Sequence, residues 1–243
     1  MPILELENVS KSYGALTVTD DVSFTLDEGS TLGIIGPNGA GKSTLFNLIG
    51  GTQRVKKGLI RFEGRDVSQT NAAERCRSGI ARSFQIPHPF IGMTVYENLL
   101  VADAFGTTDK HVAKDRCRAI LDQTGLLAKA NLPAGALTLL ERKRLELARA
   151  LATGPKLLLL DEIAGGLTEG ECKLLVQTIR DIRDSGVSII WIEHIVHALI
   201  AVVERLIVID YGRVIADGVP SEVVKLPLVK EIYLGIDLDD QAA

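Results

Sequence analysis

Apolar and polar residues alternate along positions 2–8, from Pro2 to Asn8, with the period of two of a half-buried strand. Val22 to Leu26 repeats that pattern, and Leu59 to Phe62 gives a short strand after the basic turn Lys56-Lys57-Gly58. Other apolar runs are continuous. Ser30 to Ile35, Lys156 to Asp161, Val187 to Glu193 and Leu206 to Asp210 are rich in leucine and β-branched residues, as parallel strands covered on both faces are. Helical segments lie between them, including Ser43 to Ile49 and Gly170 to Asp184. Arg213 to Ala216 is expected to pair with Leu206 to Asp210 across the turn Asp210-Tyr211-Gly212. The region from about 87 to 153 has no strong strand signal and reads as a helical subdomain inserted between sheet elements. The pattern predicts an α/β fold with a mainly parallel core sheet and an N-terminal antiparallel β portion. The acidic end, 236–243, with Asp237, Asp239 and Asp240, is expected to be frayed.

Between the strand ending at Ile35 and the helix beginning at Ser43 lies Gly36-Pro37-Asn38-Gly39-Ala40-Gly41-Lys42-Ser43-Thr44. It fits G-x-x-x-x-G-K-[ST], the loop that wraps nucleotide phosphates. Such a loop turns successive backbone N–H groups toward phosphate oxygens, and the helix start adds partial positive charge there. Gly36, Asn38, Gly39, Ala40, Gly41, Lys42, Ser43 and Thr44 are therefore candidate nucleotide-binding residues. Lys42 can reach the β- and γ-phosphates, and the Ser43 hydroxyl can ligate Mg²⁺. A second cluster closes the run Leu157-Leu158-Leu159-Leu160 with Asp161 and Glu162. In a P-loop fold this strand is expected to lie beside the P-loop strand, so that Asp161 holds Mg²⁺ through water opposite Ser43. Glu162, one residue further, can polarise an attacking water.

Composition narrows the setting. The 243 residues suffice for one large domain spanning 1–243, and 46% hydrophobic with 24% charged content is that of a soluble globular protein. A net charge of −4 does not argue for a nucleic-acid surface. No apolar stretch approaches the roughly 18 residues of a membrane span, and Met1-Pro2-Ile3-Leu4-Glu5 has no signal-peptide core. Cys76, Cys117 and Cys172 are odd in number and far apart, which suits free thiols in a reducing cytosol.

Together these motifs resemble the ATPase domain of an ABC transporter over nearly the whole chain. The resemblance implies a P-loop NTPase of ABC ATPase type that binds ATP and Mg²⁺ and hydrolyses the nucleotide. It places Tyr13, in Lys11-Ser12-Tyr13-Gly14, where the family stacks an aromatic ring on adenine. No Asn-Lys-x-Asp guanine motif occurs, which favours ATP over GTP. Gln85, in Arg82-Ser83-Phe84-Gln85, matches the family's Q-loop glutamine, which senses Mg²⁺ and the attacking water, in a loop that touches the membrane partner. His194, in Trp191-Ile192-Glu193-His194, matches the switch histidine near the γ-phosphate.

The signature departs from the family. Where Leu-Ser-Gly-Gly-Gln is usual, this chain has Leu137-Thr138-Leu139-Leu140-Glu141. Thr138 and Glu141 form a T-x-x-E capping box, and Gly154-Pro155 ends the helix. The Thr138 hydroxyl is retained, so this helix start can still face a γ-phosphate across a dimer. Both glycines are leucine, and their side chains limit how closely the backbone approaches that phosphate. Two readings stay open: a tolerated subfamily variant, or a catalytically impaired signature. Ile163 stands where a proline usually follows the paired carboxylates, and Thr168 where the D-loop has an acidic residue or Asn.

Three stretches, Gly41 to Ile49, Gly79 to Gln85 and Met93 to Leu100, resemble the ATPase subunits of branched-chain amino-acid importers, as does the ending Glu231-Ile232-Tyr233-Leu234-Gly235. Urea or short-chain amide importers and the lipopolysaccharide-export ATPase are close relatives. The resemblance implies transmembrane permease subunits, a second ATPase subunit (the same chain or a different one), and indirectly an external solute-binding protein. It implies a cytoplasmic position on the inner face of the membrane, and with no long coiled coil, basic stripe or second cassette no nucleic-acid partner is expected. A soluble ABC ATPase of the iron–sulfur assembly type is the competing class, and a non-catalytic dimerising subunit is a third.

Overall fold

The alternation that ends at Asn8 does not end the first strand. In the computed structural model, which describes residues 2–106 and 113–232, β1 (Pro2–Tyr13) pairs antiparallel with β2 (Leu16–Asp27). Both strands run further than their alternation. At the break, Asn8 and Asp21 have φ of 50° and 57°, and Asn8 Nδ2 donates to Asp21 Oδ1 at 2.7 Å. The register shifts between Leu6 and Val9, as a bulge requires, so the period-two pattern is lost while the ladder continues.

The fully buried β3 (Thr31–Ile35) leads through the glycine-rich loop into α1 (Lys42–Ile49). Next come β4 (Lys57–Phe62), β5 (Arg65–Asp66), α2 (Ala72–Ser78) and β6 (Ile80–Ser83). Within the 87–153 region the described elements are α3 (Val95–Phe105), α4 (Ala113–Gln123) and α5 (Leu139–Ala152), with two short 3₁₀ turns. The chain then runs β7 (Leu157–Asp161), α6 (Glu169–Asp184), β8 (Ser188–Ile192), α7 (Val196–Ile200), β9 (Arg205–Asp210), β10 (Arg213–Gly218), α8 (Pro220–Val223) and α9 (Pro227–Ile232). The acidic end at 236–243 lies outside the described residues.

Two sheets result. One is antiparallel, in the order β2-β1-β4-β5; the other is six-stranded, β10-β9-β3-β8-β7-β6, parallel except for β10. The β9–β10 pairing is the one expected, with Tyr211 and Gly212 both at positive φ in the two-residue turn. One expectation is corrected: β7 is not beside β3, because β8 lies between them. Four uniformly apolar strands can stack in several orders, so hydrophobic runs alone do not fix which is the neighbour.

The leucine run of β7 divides between two cores. Leu157 and Leu159 pack with α1 and the antiparallel sheet, while Leu158 and Leu160 pack with α3, α4, α5 and α6. The sheet is thus covered on both faces, and its C-terminal strand ends gather the loops after β3, β6, β7 and β8, where α/β sheets bind ligands. The buried Arg75 of α2 closes the C-terminal end of α1. Its guanidinium donates to Leu48 O and Val67 O, each at 2.5 Å, and to Ile49 O. Burial lowers its pKa to about 10.

Candidate functional site

The glycine-rich loop is packed as tightly as its sequence demands. A Cβ at Gly36 would lie 2.1 Å from Ile209 O, and one at Gly41, whose φ is +101°, would lie 2.3 Å from Val18 O. Side chains at either position would drive the loop off β9 or β2. Gly212 N donates to Ala40 O at 3.0 Å, so the β9–β10 turn braces the same loop. Helix α1 starts at Lys42 with no side-chain cap on its first turn, leaving N–H groups for an anion. Lys42 is buried, and its ammonium donates to Gly36 O at 2.6 Å and Pro37 O at 2.9 Å. Burial lowers its pKa, opposed by the charges of Glu162 and Asp161. Asn38, Gly39 and Ser43 are exposed at the mouth of the loop; Thr44 is half-buried.

Facing the loop are three strand ends. Glu162 follows β7 with φ of +47°, a left-handed conformation for a residue with a full side chain, and its N–H donates to Ile192 O of β8. Gln85 Nε2 donates to Glu162 Oε2 at 2.6 Å, and His194 Nε2 lies 2.7 Å from Glu162 Oε1. The structure therefore gathers Gln85, Glu162 and His194 on one carboxylate. Asp161, one residue earlier, lies 2.5 Å from Arg82 Nη2 of β6.

Two expected contributors stand apart. The exposed Tyr13 bonds through its hydroxyl to Gln53, and the Lys11 ammonium sits 5.6 Å from its ring centroid. Its polar partners thus lie in β1 and after α1, not in the loop 36–44. Thr138 caps α5: its N–H donates to Glu141 Oε2 at 3.0 Å, and its hydroxyl accepts from Glu141 N at 3.4 Å. None of its hydrogen bonds reaches the phosphate loop. The two signature leucines differ. Leu139 is 46% exposed at the helix start, whereas Leu140 is 8% exposed and packs in the core with the α3–α6 residues. The reading that both limit the approach of a phosphate is corrected: a helix turns successive side chains by about 100°, so only Leu139 faces outward. Ile163 is likewise a core residue, and Thr168 is the N-cap of α6 in a capping box with Glu171.

Three charged residues take a role that the sequence does not assign them. Arg82 is the charged residue of the four-residue strand β6, and a charge inside a core strand is the signal that it has a partner there. Glu193 is buried and accepts from Ala164 N at 2.7 Å and His194 N at 2.9 Å, tying the segment after Glu162 to His194. Burial raises its pKa, while these N–H bonds oppose the rise. Lys143 of α5 is buried within the field of Glu193; burial lowers its pKa and Glu193 raises it.

The oxygen donors fit Mg²⁺. Asp161 and Ser43 offer hard ligands, and the described residues hold no group of three or more His, Cys, Asp or Glu able to bind a metal alone. A site of one or two protein oxygens completed by phosphate and water is how Mg²⁺ is commonly held.

The family model described as ABC transporter matches residues 19–165. The chain is 33% identical to the high-affinity branched-chain amino acid transport ATP-binding protein BraF of Pseudomonas aeruginosa, over 96% of this chain and 98% of that one. It is 34% identical to the lipopolysaccharide export system ATP-binding protein LptB of Haemophilus influenzae, over 97% of this chain and 98% of that one. The ADP conformation of an ATP-binding cassette of an ABC transporter matches with a TM-score of 0.89 at 32% identity, covering 97% of this chain and 100% of the other.

Proposed function

This chain belongs to the ABC transporter family and is an ATP-hydrolysing cassette; on that premise we propose that it powers a membrane importer of branched-chain amino acids or related small polar or amide solutes. The observation that carries the catalytic part is Glu162, held by Gln85 and His194 beside the phosphate loop. Lys42 and the first N–H groups of α1 bind the ATP phosphates. Ser43 and Asp161 would hold Mg²⁺, which would supply neutralisation of the phosphate charge. Glu162 accepts the proton of the attacking water, with Gln85 and His194 fixing the carboxylate. Tyr13 provides a ring for adenine. A second cassette brings the start of its own signature helix to this loop, while Thr138 of this chain faces the other nucleotide.

Among the described residues no helix is long and apolar enough to cross a membrane, so separate permease subunits carry the solute. Their docking place is a groove of about 230 Å³ lined by Arg82, Phe84, Glu146 and Arg149. Beside it the segment after β6 exposes Phe84, Ile86, Phe90 and Ile91, an apolar run suited to an amphipathic segment of a membrane protein. On this reading the chain lies on the cytoplasmic face of the membrane, held there by its permease subunits.

The importer reading is supported by the likeness to BraF; the likeness to LptB supports lipopolysaccharide export as the second reading. Affinity purification of the tagged chain from detergent-solubilised native membranes separates them. Two multi-span proteins with a similar second ATPase are expected. Recovery with a single ATPase type and lipopolysaccharide-bound partners favours export, and recovery only in the soluble fraction contradicts both.

A further inference from the structure

The guanidinium of Arg82 joins two elements that the proposed metal site also joins. Its side chain is 13% exposed. Nη2 lies 2.5 Å from Asp161 Oδ2 at the end of β7, and Nη1 donates to Asn47 Oδ1 of α1 at 2.7 Å. Two rings support it, with centroids 5.7 Å away for Phe46 and 5.3 Å for Phe84. Asn47 stands one helical turn after Ser43 on the same helix. The two proteinaceous oxygens proposed for Mg²⁺, from Ser43 and Asp161, thus sit on α1 and β7. Among the described residues, Arg82 is the side chain whose hydrogen bonds bridge those two elements.

We propose that Arg82 is the positioning residue of the Mg²⁺ site: it holds Asp161 and the start of α1 in the mutual placement the ion requires. This rests on the assignment of Ser43 and Asp161 to Mg²⁺. The ion pair engages one carboxylate oxygen and so fixes the rotation of the carboxyl group, while Oδ1 takes no hydrogen bond among the described residues. A planar guanidinium does this as a two-ended strut, anchored on Asn47 at one amino group and on Asp161 at the other. Mg²⁺ demands near-octahedral oxygens, so a carboxylate free to rotate no longer orients the water through which Asp161 would hold the ion, and a helix free to drift displaces Ser43; either change loses the ion more readily than the phosphates. Phe84 supports the guanidinium from the side that also faces the proposed permease groove.

The test is binding of trinitrophenyl-ATP to the full chain, in EDTA and across a Mg²⁺ titration, for the unaltered protein, Arg82→Met, Arg82→Lys and Asn47→Ala. In EDTA, Arg82→Met is expected to bind within about twofold of the unaltered chain, while its half-saturating Mg²⁺ concentration rises about tenfold or more. Arg82→Lys restores the charge without the two-ended geometry and falls between. Asn47→Ala keeps both charges and shifts in the same direction. Unchanged Mg²⁺ half-saturation in Arg82→Met overturns the proposal, as does an equal loss of affinity in EDTA and in Mg²⁺, which marks general damage. Should Arg82→Met fail to fold, Asn47→Ala decides: no shift there overturns the strut. An unaltered chain indifferent to Mg²⁺ overturns the metal assignment itself, a failure distinct from one seen only in the variants.

Discussion

His194 Nε2 lies 2.7 Å from Glu162 Oε1, across the ends of neighbouring parallel strands β8 and β7. Glu193, the residue before it, accepts the N–H of Ala164, two residues after Glu162. The side-chain contact and this backbone contact run in opposite directions between the same two segments. A shift of either strand end therefore moves both, and the carboxylate that is proposed to take a proton from water stays aligned with the histidine. The left-handed backbone of Glu162 belongs to the same arrangement, since strained residues are retained where the surroundings hold them in place.

Lys42 is the buried cation of the phosphate loop, bonded to two loop carbonyls. Lys42→Ala is expected to weaken ATP binding by about 2 kcal/mol, the range of a charge-assisted hydrogen bond, and to reduce hydrolysis with it. Calorimetric titration with ATP checks this; unchanged binding and hydrolysis would remove Lys42 from the site.

The two signature leucines should behave differently. Leu140→Gly removes a core side chain and adds a helix-interior glycine, and is expected to cost about 3 kcal/mol or more. Leu139→Gly, at an exposed first-turn position, is expected to cost about 1 kcal/mol or less. Urea denaturation of both variants reads the difference, and equal losses would contradict the placement of Leu140 in the core.

Arg75 caps three carbonyls around the end of α1. Arg75→Met leaves those buried acceptors without their donor, and is expected to destabilise the fold by about 3 kcal/mol or more. A fall in the denaturation midpoint with an unchanged slope would identify this as lost stability of the native state. A midpoint equal to that of the unaltered chain would count against the cap.

Burial pushes the Cys117 thiol up to about 11 and also raises that of Cys172, so both remain protonated and inert at pH 8. Cys76 is half-buried and lines the groove proposed for the permease. In the folded chain at pH 8, iodoacetamide is expected to modify Cys76 first, with the other two reacting after denaturation. Peptide mass mapping reports the order, and early modification of Cys117 would contradict its burial.

The phosphate loop was legible because glycines, lysine and serine stand at fixed spacing between a strand and a helix. The paired carboxylates were legible because they end an uninterrupted apolar run. Strand order was not: β3, β7, β8 and β9 look alike in hydrophobicity, and nothing in the leucines of β7 says that β8 separates it from β3. Arg82 was seen but given no role, since its meaning depends on β6 lying beside β7, a long-range pairing. The bulge at Asn8 and Asp21 hid the continuation of the first two strands, because it breaks alternation without breaking the ladder. Leu140 was misread for a local reason: substitution of a glycine in a motif draws attention to the lost space, while the helix turns that side chain inward.

Glu162, held by Gln85 and His194, is proposed as the hydrolytic base of an ATP site shared between two cassettes. The most direct measurement is ATP turnover, ATP binding and particle size of Glu162→Gln beside the unaltered protein. The account predicts retained ATP binding, turnover reduced about 100-fold or more, and an ATP-dependent dimer that accumulates because it cannot hydrolyse its nucleotide. Turnover within a few-fold of the unaltered chain, roughly 1 kcal/mol in barrier, would contradict it.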